Sequence, residues 1–441
     1  MARRTSVAFV AVASVILLFG WTGTRAQAPL DSARGTPAAA ATPTFAKDVA
    51  PILQRSCQSC HRPGAIAPMS LVTYEDARPW ARSIRQKVMT REMPPWYVDR
   101  NIGIRKFKDD PSLTDTEIAT ITKWIDGGSP LGNPADLPKA KEFSSLDQWH
   151  IGKPDIIIKM PKPYTLRAAG PDEFVDVQVD PGFKEDMYIM AVETKPEAQG
   201  FRVVHHATTN MIEDEDDPTG LFFNEYALGK NGDIFPANSG RLIKAGSRIN
   251  FNLHLHPNGE ETKVQLELGL KLFPKGEKPK YIAFTQHMGD FNDLDIPAGQ
   301  VVRNDGFFPL PRPAVVSAFQ PHMHNRGKAM CMEAIYPNVR ADSARPGPAR
   351  TETLSCVSNY QFGWHITYPY AEDAQPVLPA GTVIHITAWH DNTANNKWNP
   401  NPKNWVGYGQ RTIDEMSFAW VSLFYIDEAE YQQRIQARRT Q

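Results

Sequence analysis

An excess of charge of either sign is missing from this chain of 441 residues: 48 lysines and arginines face 49 aspartates and glutamates, a formal net charge of −1. Without a basic excess there is no electrostatic case for binding nucleic acid or an anionic membrane. No Gly-rich phosphate loop follows a strand in a βαβ context, so no nucleotide cofactor is indicated. No internal repeat at a fixed short period is found. Cysteine is scarce, with four in the chain, and none lies near the N-terminal processing site, which argues against a lipid anchor. Apolar residues 7–21 make a stretch too short and too poorly flanked for a convincing membrane span.

What is present suits two or three domains. Hydrophobic content is 41% and charged content 22%, both normal for a globular protein. The 37 prolines lean towards β-structure with many connections, because proline is tolerated at turns and sheet edges. Arg3 and Arg4, the apolar stretch and the small-x-small Ala26-Gln27-Ala28 read together as a secretory signal, residues 1–28. The expectation is an exported chain, periplasmic or secreted, with no stable membrane span after cleavage; the rival is an uncleaved anchor. Residues 29–43 are rich in Ala, Pro and Thr and read as a linker.

Residues 44–134 have a helical pattern. Cys57-Gln58-Ser59-Cys60-His61 is a C-x-x-C-H motif, whose spacing lets two thiols bond covalently to haem while the histidine ligates iron from the same turn. An amphipathic helix is predicted over 45–53, before the motif. A second is predicted from Trp80, Ile84 and Val88 at i, i+4, i+8, and a third from the Thr114/Glu117 capping box to Gly127-Gly128. Over about ninety residues this stretch resembles the c-type cytochromes. That family takes its axial methionine from a loop placed where Met93 stands, which makes Met93 the sixth-ligand candidate. Met69 and Met89 are rivals; Met89 falls close to the helical stripe and reads as core packing.

From about residue 149 the pattern changes to short alternating runs separated by Gly, Pro, Asn and Asp, as in antiparallel β-sandwiches. Of 12 histidines, six fall in three pairs: His205-His206, His254-x-His256 and His322-x-His324. Residues two apart on a strand share a face. Ile249, Phe251, Leu253 and Leu255 therefore make one face, and Asn250, Asn252, His254 and His256 the other. The adjacent pair His205-His206 reaches one metal only at a bulge or strand end. No cysteine lies near the pairs, which argues against a structural Cys/His zinc site. Imidazole ligation with open positions suits copper, a nearby thioether favours Cu(I), and zinc is not excluded by ligand type.

The stretches Val203-Val204-His205-His206, Leu253-His254-Leu255-His256, Pro321-His322-Met323-His324 and Asp414-Glu415-Met416 keep the order found in a known family. Over residues 149–425 the chain resembles the copper type II, ascorbate-dependent monooxygenases, the family of peptidylglycine α-hydroxylating and dopamine β-monooxygenases. The resemblance implies two copper ions, one electron-storing on His205, His206 and His254, the other binding O2 and substrate on His322, His324 and Met416, which carry the catalysis. It implies two β-sandwich domains, 149–298 and 299–428, each supplying one copper across a solvent-filled cleft. A polar tail, 429–441, would follow. The whole is then a multidomain α plus all-β chain: a small helical cytochrome c domain followed by two antiparallel β-sandwich domains. His256 is expected to support the ligands rather than join them, His365 and His385 to be structural, and His390 to be structural or on the rim. Without the resemblance, Met416 among Ile413, Phe418 and Trp420 would read as core.

The family inserts one oxygen atom of O2 into a substrate C–H bond, with electrons usually from ascorbate. Its peptide-amidating branch holds a peptide carboxylate at positions that here carry Gln320, Phe418 and Trp420, so the expected substrate is another small molecule. The fused haem, held by Cys57, Cys60, His61 and Met93, would relay electrons from ascorbate or a periplasmic protein donor to the His205/His206/His254 copper. The alternative is a periplasmic c-type electron-transfer protein whose β module binds copper without hydroxylating. Cys331 and Cys356, on two strand-like stretches, are expected to pair in an oxidising compartment.

Overall fold

The computed structural model describes residues 42–439 apart from residues 64, 66, 143–147, 198, 215, 217–219, 228–229, 231, 291–292 and 338–349. The expected signal and all but the last two residues of the expected linker lie outside the described residues. No helix among the described residues is long and apolar enough to cross a membrane.

Helices come first. A wide turn, Phe45–Val49, runs into Ala50–Ser56, and Ala81–Met89 and Asp115–Asp126 follow. Phe45, Leu53, Leu71, Ile84, Val88, Ile121 and Trp124 close on one another as one apolar cluster. Asp115–Asp126 starts where predicted: the Glu117 amide donates to Thr114 Oγ1 at 3.1 Å and the Thr114 amide to Glu117 Oε2 at 2.8 Å. Two expectations change. Trp80 is 44% exposed, because it sits in the tight turn Arg78–Trp80 ahead of the helix and outside its inward stripe. Met89 is 51% exposed at the helix end, so it is not core.

The rest is mainly antiparallel sheet, in two layer pairs. In the first, the strands Glu173–Val179, Arg248–Leu255, Val204–Ile212 and Leu221–Ala227 form one sheet in that order. Ile249, Phe251, Leu253 and Leu255 turn inward, as the alternation requires, onto Ile189, Val192, Leu268 and Leu270 of the facing sheet. In the second, Val301–Pro309, Val383–Asp391, Gly327–Ile335 and Thr351–Val357 form a sheet over Val316, Phe319, Val421 and Leu423. One ten-stranded sheet serves as the facing layer of both pairs. It is continuous because Tyr281–Gly289 runs parallel to Ser239–Ile243 on one side and pairs antiparallel with Phe418–Tyr425 on the other.

Three findings differ from the expected division. Tyr281–Gly289, placed in the first β unit, contributes Met288 and Phe284 to the second unit's apolar cluster. Residues 429–439 belong to the helix Glu428–Arg439, whose Tyr431 and Ile435 pack on Tyr281, Val315 and Phe424. Residues 96–108, assigned to the helical unit, form a strap on the second layer pair. The Asp99 amide donates to the Cys356 carbonyl at 2.8 Å, that of Ile104 to Leu354 at 2.9 Å, and Lys108 to Pro369 at 2.8 Å. Trp96 stands edge-on to Tyr368, 4.9 Å between centroids.

Gly103 makes the strap possible. Its φ is +61°, and a Cβ there would meet the Leu354 carbonyl oxygen at 2.3 Å. A β-branched residue pays for the left-handed backbone as well as the clash. Gly103→Val is therefore expected to lower stability by about 2 kcal/mol or more and to open residues 96–108 to protease. An unchanged denaturation midpoint and cleavage pattern would show that the strap is not held there.

Cys331 and Cys356 face each other on neighbouring strands and form a disulfide closing a separation of 25 residues. A loop of that size stabilises by about 3 kcal/mol through restriction of the unfolded chain.

Candidate metal centre

Three strands, the turn that follows one of them and one loop bring histidines to a single wall between the layer pairs. His205 and His206 start the strand Val204–Ile212, where the pairing with Arg248–Leu255 shifts register between Val204 and His206. This bulge is the device that lets two adjacent rings turn to one side. Their Nδ1 atoms face each other at 3.1 Å, and two neutral rings can place only one proton there. His254 lies opposite His206 across the ladder. His322 ends the strand Ala314–His322, His324 follows in the turn, and His365 comes from the loop 358–367.

The rings form one continuous array. Centroid distances are 5.3 Å for His205–His206, 4.9 Å for His205–His254 and His206–His254, and 4.9 Å for His206–His365. They are 5.0 Å for His322–His365, 5.7 Å for His322–His324 and 6.2 Å for His206–His322. This corrects the expectation of two groups facing across a solvent-filled cleft. Around the rings, Phe222 stacks on Trp420 at 4.1 Å, Phe362 stands against His205 and His324, and Gln320 donates to Glu225 at 2.5 Å. Gln320 is thus buried in the wall rather than lining an open substrate site.

Supporting groups set the ring protons. Asp172 accepts from His254 Nε2 and from His256 Nδ1, both at 2.7 Å. The carboxylate fixes the His254 proton on Nε2 and leaves Nδ1, buried and without a hydrogen-bond partner, as a bare lone pair. His324 Nδ1 donates to the Asp414 carbonyl at 3.0 Å, leaving Nε2 free to ligate. The buried Glu415 carboxylate accepts the His324 amide at 2.8 Å and the Arg326 amide at 2.6 Å, which pins the turn. Met416 follows Glu415, half-buried, and its carbonyl accepts from His390 Nε2 at 3.0 Å. His385 is held at both nitrogens, by Asp305 at 2.7 Å and Glu333 at 3.1 Å.

Two residues of the array were outside the expected ligand set. His365 is buried in the array with both ring nitrogens unpartnered, and Glu225 presents an unpartnered buried Oε1. A lone histidine in a loop and a glutamate amid apolar strand residues carry no spacing signal. His205, His206 and His365 hold ligand atoms within 4.8 Å of one another, and so do Glu225, His322 and His365.

Burial holds these imidazoles neutral. It lowers His205 from the ordinary 6.5 to about 4, His322 to about 3 and His324 to about 4, and lowers His206, His254 and His365 too. The unfolded chain takes up these protons near 6.5, and the folded chain refuses them. Their contribution to stability is therefore full above 6.5 and lost as pH falls towards 4. Burial pushes Glu415 the other way, up to about 7, and raises Glu225 too, so their contribution is lost as pH rises; they are two groups of the array against six. The melting temperature of the metal-free chain should fall between pH 6.5 and 5. A flat or rising profile there would contradict the buried, neutral array.

The fold and site define a mainly antiparallel β protein with a buried imidazole–carboxylate cluster between its layer pairs. No protein-family model matches the chain, and no curated protein matches it. Among solved structures, the infectious bursal disease virus VP2 subviral particle aligns at 9% identity and a TM-score of 0.20, over 64% of this chain and 74% of that one. The structure of the Gx strain of that virus aligns at 10% and 0.20, over 62% and 72%. Likeness at that level carries no argument about fold or function.

Proposed function

We propose that the chain is an exported copper-dependent monooxygenase that hydroxylates a C–H bond of a small molecule with O2, fed through a covalently bound haem. The observation that carries the reading is the meeting of half-buried His205 and His206 with buried His254, His322 and His324 in one wall, with the His254 and His322 Nδ1 atoms unpartnered. Buried polar atoms are rarely left so, and bare imidazole lone pairs suit copper. The two layer pairs are in keeping with the sandwich domains that the resemblance implies.

Copper, when bound, supplies the two one-electron steps by which one oxygen atom enters the substrate and the other leaves as water. The chain's own groups prepare for it. Asp172 orients His254, the Asp414 carbonyl orients His324, and Glu415 holds the turn between His324 and Arg326. Phe362 and Phe418, the latter stacked 4.8 Å from His322, exclude water. Beyond the His324 turn lies a cavity of about 880 Å³ that no histidine of the array lines and whose walls mix Trp405, Tyr408 and Ile413 with Asp293, Arg411 and Asp414.

The haem motif fits its group. The Cys60 and His61 amides both turn back to the Cys57 carbonyl, at 3.2 and 2.9 Å, which gathers the three side chains on one turn. His61 Nδ1 donates to the Met69 carbonyl at 3.2 Å, leaving Nε2 for iron. Met69 therefore lies behind the ring, away from the iron face, which favours Met93 as sixth ligand. Met93 leads directly into the strap, where Trp96 meets Tyr368, three residues from His365. This continuity supports the relay. Copper reduction by ascorbate at full speed in a haem-free variant would make the relay unnecessary. The disulfide and the C-x-x-C-H motif both support an oxidising, exported setting.

The continuous array favours a second reading, an electron-transfer protein whose copper attacks no C–H bond. Oxygen uptake separates the two. Hydroxylation predicts uptake matched mole for mole by hydroxylated product; uptake matched by peroxide supports the second.

A further inference from the structure

We propose that Glu225, His322 and His365 form a second kind of metal site, a pocket of two imidazoles and one carboxylate for a divalent cation of the zinc or ferrous type. The pocket takes His322 from the copper set of the hydroxylation reading, so zinc here and copper on His322 are alternative occupants, while Glu225 and His365 belong to this pocket alone and tell the two apart.

Three elements build the pocket. Glu225 comes from the strand Leu221–Ala227 in the first layer pair, His322 from Ala314–His322 in the second, and His365 from the loop 358–367. Ligand atoms of all three lie within 4.8 Å of one another. All three residues are buried, and Glu225 Oε1, His322 Nδ1 and both His365 nitrogens lack a hydrogen-bond partner. So many orphaned polar atoms in one place call for a shared partner, and each neutral imidazole has one acceptor nitrogen to offer it. A cation answers several lone pairs at once, and two nitrogens with one carboxylate oxygen are a donor set for zinc or ferrous iron rather than for the sulfur-loving Cu(I).

The surroundings are arranged as around a ligating carboxylate. Gln320 Nε2 donates to Glu225 Oε2 at 2.5 Å, and Thr367 Oγ1 donates to Gln320 Oε1 at 2.5 Å. The hydroxyl orients the amide, the amide occupies one carboxylate oxygen, and the other oxygen is left to the cation. A bound ion would tie the layer pairs and the 358–367 loop together. That loop follows the strand Thr351–Val357, on which the strap that begins beyond Met93 is docked.

The test is a zinc titration of the full-length, haem-bearing, chelator-treated chain, with zinc per haem measured after desalting. Glu225→Gln and His365→Gln should each weaken binding at this pocket at least about 100-fold, since loss of a supporting group alone costs about 10–100-fold. Gln320→Ala, which removes only such support, should weaken it about 10-fold or more. His254→Ala should leave this pocket's zinc in place while weakening copper binding at His205 and His206. Far-UV circular dichroism and haem content identify a misfolded variant; Gln320→Ala then decides, together with the zinc-dependent rise in melting temperature of the unaltered chain. Unchanged zinc binding in the folded variants, or no zinc bound by the unaltered chain, would overturn the proposal. Zinc held by the unaltered chain and lost in the Glu225→Gln variant, with no copper-dependent hydroxylation by the unaltered chain, would support the pocket and sink the monooxygenase reading alone.

Discussion

Met416→Ile is expected to abolish hydroxylation while leaving haem attachment and the fold intact. The substitution exchanges a polarisable thioether for an apolar group of similar bulk. The contact that Met416 makes through its backbone, accepting from His390, does not depend on the side chain. Cavity and overpacking costs are small for such a swap at a half-buried position. The weak sulfur ligand is what would stabilise the reduced ion that meets O2 and keep a position open. Its loss should lower product formation at least about 100-fold, a loss of about 2.7 kcal/mol of transition-state stabilisation. The measurement is hydroxylated product per haem under saturating reductant. Retained turnover would remove Met416 from the chemistry and return it to the core-packing role its apolar neighbours suggest.

Glu415→Ala should be the most destabilising single change near the array. The carboxylate is wholly buried and accepts the amides of His324 and Arg326. It also lies 3.8 Å from the Arg326 guanidinium, itself buried and otherwise held by Asn392 at 2.9 Å and the Ile413 carbonyl at 3.0 Å. Alanine would strand two amides and leave a buried cation without its counter-charge. Removing one partner of a buried pair costs about 3–5 kcal/mol. The turn bearing His324 would loosen as well, so metal content should fall with stability. A denaturant midpoint shifted by less than about 1 kcal/mol would mean that water replaces the carboxylate.

Much of this was legible in the chain. The capping box at Thr114 and Glu117 is there because its spacing allows nothing simpler. The alternation of 249–256 placed four apolar residues inward and His254 on the opposite face. The adjacent pair His205-His206 demanded a bulge, and the ladder has one there. What stayed hidden has physical reasons. Alternation reports which face a residue takes but not which sheet its strand joins, so it could not show that Tyr281–Gly289 pairs with strands of both units. Loops have no period, which concealed both the strap over Leu354 and Cys356 and the arrival of His365. The surroundings of the array depend on long-range contacts such as Phe222 on Trp420 and Gln320 on Glu225, and residues about a hundred or more apart in sequence give no local sign of meeting.

The most direct test is the copper content of the exported, copper-reconstituted protein, expressed per haem. The account predicts about two coppers per haem, falling to about one in the His322→Ala/His324→Ala double variant, as two imidazole sets require. Haem with no copper, or with tightly held zinc in its place at every histidine, would contradict it.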